Sequence, residues 1–275
     1  MAGDLHTHTN FSDASSDIET LPLLAARAGM THLAVSDHDT VLAINYANEH
    51  KTQNGVQLIP AVELTGFDAA QGERVHILCY YPRVTKELVS FCALMAQRRN
   101  EAVGKSLAEI EQLYPQFKRE DALKYAQKSG VLFKTCAIRV LFDYACTDGI
   151  YKDLYKQLFG KNGTVLHNPA YESVADVLKM ARGTGGVIVI AHPSVYHSMP
   201  LVRRLAASGE IDGVEINHPR NTAEDKKELA EIAKKYNLIV TGGSDFHGMY
   251  SAKPNPLGSF TTDDENIARI QKLAL

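Results

Sequence analysis

Seven short apolar runs are spread along this chain, and almost every one ends at a histidine, aspartate or glutamate. They read "DLHTH", "THLAVSD", "QLIPAVE", "RVHILCYY", "GGVIVIAH", "GVEINH" and "LIVTGGSD". Runs of this length, rich in Val, Ile and Leu, are buried strands. Helical patterns separate several of them, such as "SVADVLKMAR" before "GGVIVIAH" and "AEDKKELAEIAKKYN" before "LIVTGGSD". Strands alternating with helices predict a parallel α/β architecture. In "SDIETLPLLAARAGM", Ser16 and Glu19 fit a capping box. Leu21, Leu24, Ala25 and Ala28 then share one helical face, and Gly29 suits its end.

The middle of the chain breaks the alternation. Between about Arg83 and Lys161 no strand pattern occurs; "KELVSFCALMAQRRNEAVGKSLAEIEQL", "REDALKYAQKSG" and "YKDLYKQLFG" read as helices. Residues 83–165 carry 14 Lys+Arg against 9 Asp+Glu, whereas the remainder carries 15 against 23. A basic helical segment over an acidic body suits an anionic substrate held above cations, although solvated helix faces alone would give the same count. The formal net charge of −3 does not describe a nucleic-acid coat. No apolar run is long enough to span a bilayer, and "MAGDLHTH" shows no secretory signal. Cys79, Cys92, Cys136 and Cys146 form no CxxC pair, so a reducing cytoplasm is the expected compartment.

Position carries more information than count. In a parallel barrel, strand C-termini open on one face, where such folds place their chemistry. His6, His8, His38, Glu63, His76, His192, His218, Asp245 and His247 all fall in or just after the apolar runs. Strand residues at i and i+2 share a face about 6.5–7 Å apart, so His6 and His8 can reach one cation. A lone HxH says little. HxH, DxH and further ionisable groups converging at one barrel mouth without a cation would carry a steep desolvation and repulsion cost. The imidazole–carboxylate set lacks thiolate, which suits Zn, Mn or Fe in a reactive site. Two or three ions are expected.

"DLHTHTNFSD", "AVSDHDT", "PAVELT", "VHILCYY", "VIAHPS" and "GGSDFHG" together resemble the signature segments of the PHP (polymerase and histidinol phosphatase) family of metal-dependent phosphoesterases. The resemblance implies a distorted seven-stranded (β/α) barrel from residues 1–82 and 166–275, with residues 83–165 as a helical cap insertion. It implies one ion on His6, His8 and Asp245 with Glu63 bridging, a second on Asp13, His38 and His247, and a third on Glu63, His76 and His192. Aspartate at position 13 resembles the branch acting on small phosphorylated molecules and nucleotides. That branch is expected to carry Arg-x-His in the insertion, where this chain has Lys134 and Cys136. The departure brings phosphorylated sugars and cyclic phosphates into consideration beside nucleotide bisphosphates.

Lys134, Arg99, Arg139 and Arg220 are the candidate substrate cations, and His218 the candidate catalytic histidine. His32, His50, His167 and His197 read as structural or surface residues. A small phosphorylated substrate is the expected partner, without a membrane or a stable nucleic-acid complex. Three other readings compete: an amidohydrolase-type hydrolase, an inactive metal-binding module, and a 5′-3′ exonuclease on short oligonucleotides.

Overall fold

Each of the seven apolar runs becomes a strand of one curved sheet in the computed structural model, which describes residues 2–253 and 255–274. The strands are β1 (Ala2–Thr7), β2 (His32–Val35), β4 (Val56–Asp68), β5 (Glu73–Tyr80), β6 (Val187–Ile190), β7 (Gly213–Asn217) and β8 (Ile239–Gly242). Two-residue strands β3 (Thr52–Gln53) and β9 (Thr262–Asp263) are added. The order is β8-β7-β6-β5-β4-β2-β1-β9, with β3 beside β4. Helices α1 (Leu21–Arg27), α2 (Leu42–Glu49), α7 (Val174–Gly183), α8 (Met199–Ser208), α9 (Ala223–Tyr236) and α10 (Asp264–Leu273) accompany the strands.

The sheet nearly closes into a barrel, and its seam runs through the histidine motifs. The Asp245 N–H donates to the His6 carbonyl at 2.9 Å, and the His8 N–H to the Phe246 carbonyl at 2.9 Å. Val187 and Val189 of β6, and Ala191 just after it, pack with the strand-lined core. Ile188 and Ile190 pack with Val177, Leu178 and Leu205 of the flanking helices. This period-2 division makes β6 apolar on both faces.

Two expectations need correction. The sheet is not uniformly parallel, because β5 runs antiparallel to both β4 and β6. Only residues 69–72 join β4 to β5, too few for the crossover that a parallel pair requires. The capping box at Ser16 does not form either. Helix α1 starts at Leu21 with Thr20 as its N-cap, and the Ser16 carbonyl instead accepts from Asn10 N–H at 2.9 Å. Leu21 and Ala25 are buried, whereas Leu24 and Ala28 face solvent.

Between β5 and β6 the described residues contain only helices: α3 (Lys86–Leu113), α4 (Arg119–Tyr125), α5 (Lys134–Asp143), α6 (Asp153–Phe159) and α7. Helix α5 has no counterpart among the sequence-based helices. Val103, Leu107, Ile110, Phe117, Ala137, Ile138 and Leu158 form a hydrophobic core of their own within this segment. No helix among the described residues is long and apolar enough to cross a membrane.

The seam depends on a close approach. A Cβ on Gly243 would lie 2.3 Å from the His6 Cβ and 2.5 Å from its backbone nitrogen, so only glycine fits. Gly243→Ala is expected to cost about 1–3 kcal/mol through overpacking. Gly104→Ala, in open space on α3, should be neutral or stabilising. Urea unfolding of both variants checks this; equal midpoints would show that the seam tolerates a methyl group.

Candidate metal centre

Five imidazoles converge on one buried carboxylate. Glu63 Oε2 lies 3.3 Å from His6 Nε2, 3.2 Å from His8 Nε2 and 3.1 Å from His38 Nδ1. Glu63 Oε1 lies 2.9 Å from His76 Nδ1 and 3.0 Å from His192 Nε2. Asp245 Oδ1 faces His6 and His8 at 3.7 and 3.4 Å, and Asp13 Oδ1 faces His247 and His38 at 3.3 and 3.9 Å. Five overlapping ligand groups follow: His6/His8/Asp245, His8/Asp13/His38/His247, His38/Glu63/His76, His6/Glu63/His192 and His6/Glu215/His218. All nine sequence-predicted ligands belong to at least one of them.

Strand direction explains how they meet. Glu63 lies midway along β4, which continues past the cluster to Asp68. His76 lies in the first half of β5. Because β5 is reversed, its first half reaches the face where the parallel strands end. His192 and Asp245 follow directly after β6 and β8 in left-handed backbone, with φ of 26° and 53°. Such φ values are costly outside glycine and persist where the surroundings hold them.

A second layer of carboxylates holds the first. Glu215 accepts from His6 Nδ1 at 3.0 Å and from the His192 N–H at 2.8 Å. With its Nδ1 proton so engaged, His6 presents a bare Nε2 to the cluster. Asp37 accepts from Thr9 N–H and Oγ1 at 2.8 and 2.6 Å, fixing the loop that carries Asp13. Asp4 accepts from Ser244 N–H and Oγ at 3.0 and 2.6 Å, fixing the segment before Asp245. Burial raises the Asp4 pKa to about 6. Burial also opposes ionisation of Glu63, but the surrounding His76, His6 and His38 hold its carboxyl well below the usual range.

Chemically, this donor set fits divalent cations. His6 Nε2, His8 Nε2 and His38 Nδ1 are buried without a hydrogen-bond partner, although each lies near Glu63 Oε2. Orphaned imidazole nitrogens aimed at shared carboxylate oxygens are what ligands for an ion look like.

A cavity of about 730 Å³ opens onto the cluster; Asp13, His38, Glu63, His76, His192, Asp245 and His247 line it. Arg74, Arg99, Lys134 and Arg220 also line it, with Phe133 and tyrosines 151, 155, 171, 196 and 250. Arg99 is ion-paired with Asp39, and Arg220 donates to Asp245 Oδ2 at 2.9 Å. Lys134 donates to Asn168 Oδ1 at 3.0 Å. Burial, and then Arg74 and Arg99 nearby, lower the Lys134 pKa to about 8.

A family model for the PHP domain matches residues 4–184. The chain belongs to the PHP domain family. It is similar to a phosphoribosyl 1,2-cyclic phosphate 1,2-diphosphodiesterase of Eggerthella lenta, 31% identical over 259 residues, which cover 93% of this chain and 97% of that protein. It also resembles the 5′-3′ exoribonuclease Rnm of Escherichia coli, 28% identical over 89% of this chain and 84% of that protein. A solved structure from Bifidobacterium adolescentis, described as a candidate metal-dependent phosphoesterase, superposes with a TM-score of 0.90 at 26% identity, covering 99% of this chain and 96% of that one. This PHP protein is therefore a metal-dependent phosphoesterase.

Two expected residues, Arg139 and His218, stand elsewhere than anticipated. Arg139 is not among the lining residues; it pairs with Asp143 at 2.9 Å and packs over Tyr125. His218 is fully buried behind Asp245, 3.4 Å from Oδ2, and does not line the cavity. Its Nδ1 accepts from Arg220 N–H at 3.1 Å, which leaves the proton on Nε2 in the neutral ring. Cys136 is buried in the core of the helical segment and offers nothing to the cavity. Glu215 and Arg74 escaped sequence reasoning. A charge inside the apolar run "GVEIN" was the available signal for the first, and i, i+2 alternation with His76 for the second.

Glu215→Gln should weaken ion binding about 10–100-fold, the usual effect of losing an outer carboxylate. Competition with a chromogenic chelator measures this, and unchanged affinity would leave Glu215 a purely structural role.

Proposed function

We propose that this PHP phosphoesterase hydrolyses a small phosphorylated sugar, including a cyclic phosphate diester, over two or three Mn, Zn or Fe ions. The observation that carries this reading is one cavity with a cation-lined wall opening on the Glu63 cluster. Its volume of about 730 Å³ suits one metabolite. In this reading His6, His8 and Asp245 hold one ion, Asp13, His38 and His247 a second, and His76 and His192 a third, with Glu63 shared. The placement of His76 and His192 on the same Glu63 oxygen supports the third grouping. Residues 83–165 act as the cap that supplies Arg99 and Lys134.

Bound ions lower the pKa of water towards neutrality and polarise the phosphoryl group. The residues of the chain do the rest. Glu63 and Asp245 stay ionised, because the imidazoles around them overcome the opposing effect of burial. His218 and Arg220 orient Asp245 from behind and beside it, so His218 acts as a positioning residue. Arg220, held against Asp245, meets phosphoryl oxygens as negative charge accumulates on them.

A second reading, cleavage of short oligonucleotides, is favoured by the tyrosine-rich wall, since aromatic faces stack bases. The Rnm relative points the same way. A panel of sugar phosphates, cyclic phosphates, nucleotides and short RNA decides between them: kcat/KM highest on RNA would overturn the sugar-phosphate reading.

Chelation should reduce phosphate-ester turnover at least about a hundredfold, restored by Mn, Zn or Fe. Full turnover in metal-stripped protein would refute the ion-based chemistry. KM for an anionic substrate should rise as pH passes about 8, where Lys134 loses its proton and its attraction for phosphate. Lys134→Arg should flatten that rise, because guanidinium stays charged; an identical pH profile in the variant would exclude Lys134.

A further inference from the structure

Five cations line the active-site cavity, Arg74, Arg99, Lys134, Arg220 and the exposed Lys253, and they are not alike. Arg99 and Arg220 already face carboxylates, Asp39 and Asp245. Arg74 and Lys134 have no carboxylate partner among the described residues; their hydrogen bonds go to the Tyr171 hydroxyl at 3.4 Å and to Asn168 Oδ1. Two neighbouring cations without a counter-charge repel each other, and an anion between them removes that cost.

Their place in the fold is equally specific. Arg74 precedes His76 by two residues on β5, so both point to the same face, with Cα atoms about 6.5–7 Å apart. Its guanidinium lies 5.0 Å from the Tyr196 ring centre and 5.8 Å from that of Tyr171, which holds it in place. Beyond Arg74 lies a second cavity of about 810 Å³, which shares Arg74, Lys134, Pro169 and Tyr171 with the first and is also lined by Lys161. Arg74 and Lys134 thus stand where the two cavities meet, and Glu73 lines the second cavity as well as Lys161.

We infer that Arg74 and Lys134 form a subsite for a second, non-reacting phosphate of the substrate, about one pentose ring from the cluster. The phosphate ester that is cleaved lies on the ions, and the distal phosphate bridges the two cations at the junction of the cavities. This rests on the sugar-phosphate reading above and adds that the substrate carries two anionic groups. Arg74 is then a specificity-determining residue.

The test compares ribose 1,2-cyclic phosphate with and without a 5-phosphate, using metal-loaded protein. The native protein should prefer the 5-phosphorylated compound at least about a hundredfold in kcat/KM. Arg74→Met should cut that preference at least about tenfold, mainly through KM, as expected for a charged hydrogen-bonding partner. Arg74→Lys should restore part of it. An unchanged preference in Arg74→Met, or equal losses on both compounds, would overturn the subsite. If Arg74→Met does not fold, Lys134→Met gives the same readout. If the native protein turns over neither compound, the sugar-phosphate reading fails by itself. Calorimetry with ribose 5-phosphate against ribose then decides the subsite: tighter binding of the phosphate that weakens about tenfold in Arg74→Met upholds it, and equal binding rejects it.

Discussion

A single carboxylate, Glu63, sets the terms for the rest of this molecule. Both of its oxygens are committed, one to His76 and His192, the other to His6, His8 and His38. A buried carboxylate is costly unless positive charge surrounds it. Bringing five imidazoles to it requires the ends of β1 and β2, the first half of β5 and the segment after β6 to lie within a few ångströms of one point on β4. A nearly closed barrel is the way a chain can meet that demand, and the seam between β1 and the segment after β8 then delivers Asp245 and His247.

The acidity of the chain outside residues 83–165 has a structural account as well. Asp4, Asp37 and Glu215 are fully buried and Asp39 nearly so. None of them is a predicted ligand. Each accepts hydrogen bonds from backbone or side chains next to a ligand: Ser244, Thr9, His6 and Thr65 respectively. Buried acceptors of this kind fix rotamers and loop geometry, and a centre built from sequence-distant ligands needs such support. Removing an outer carboxylate would therefore affect ion affinity before it affected the chemistry.

Much of this was legible in the sequence because ligand type and strand periodicity coincide. Polar residues at the ends of apolar runs have few explanations, so eight of the nine candidate ligands could be picked out in this way, and the resemblance added Asp13. The reversal of β5 was not legible: it follows from the four-residue link at 69–72, and the apolar run alone does not encode direction. Glu215 was hidden for a related reason. It sits inside a run, and its partner His6 is 209 residues away. Arg139 misled in the opposite way. A cation in a basic segment looked like a substrate contact until its i, i+4 neighbour Asp143 proved to hold it. Lys134 could be picked out from its place in a motif, but its lack of a carboxylate partner among the described residues is a three-dimensional fact.

Strand β5 shows how the fold arranges polarity along one face. Tyr80 and Leu78 lie in the apolar floor of the barrel, His76 reaches Glu63, and Arg74 lies one further step towards the helical segment. Alternate residues therefore run from core to ion ligand to unneutralised cation over about 20 Å of strand. The reversed direction lets β5 enter from the cap side, so residues before His76 can face a substrate's far end. Lys134, at the first turn of α5, lines the same cavity. The hairpin that broke the parallel pattern is thus what gives the site its second pole of charge.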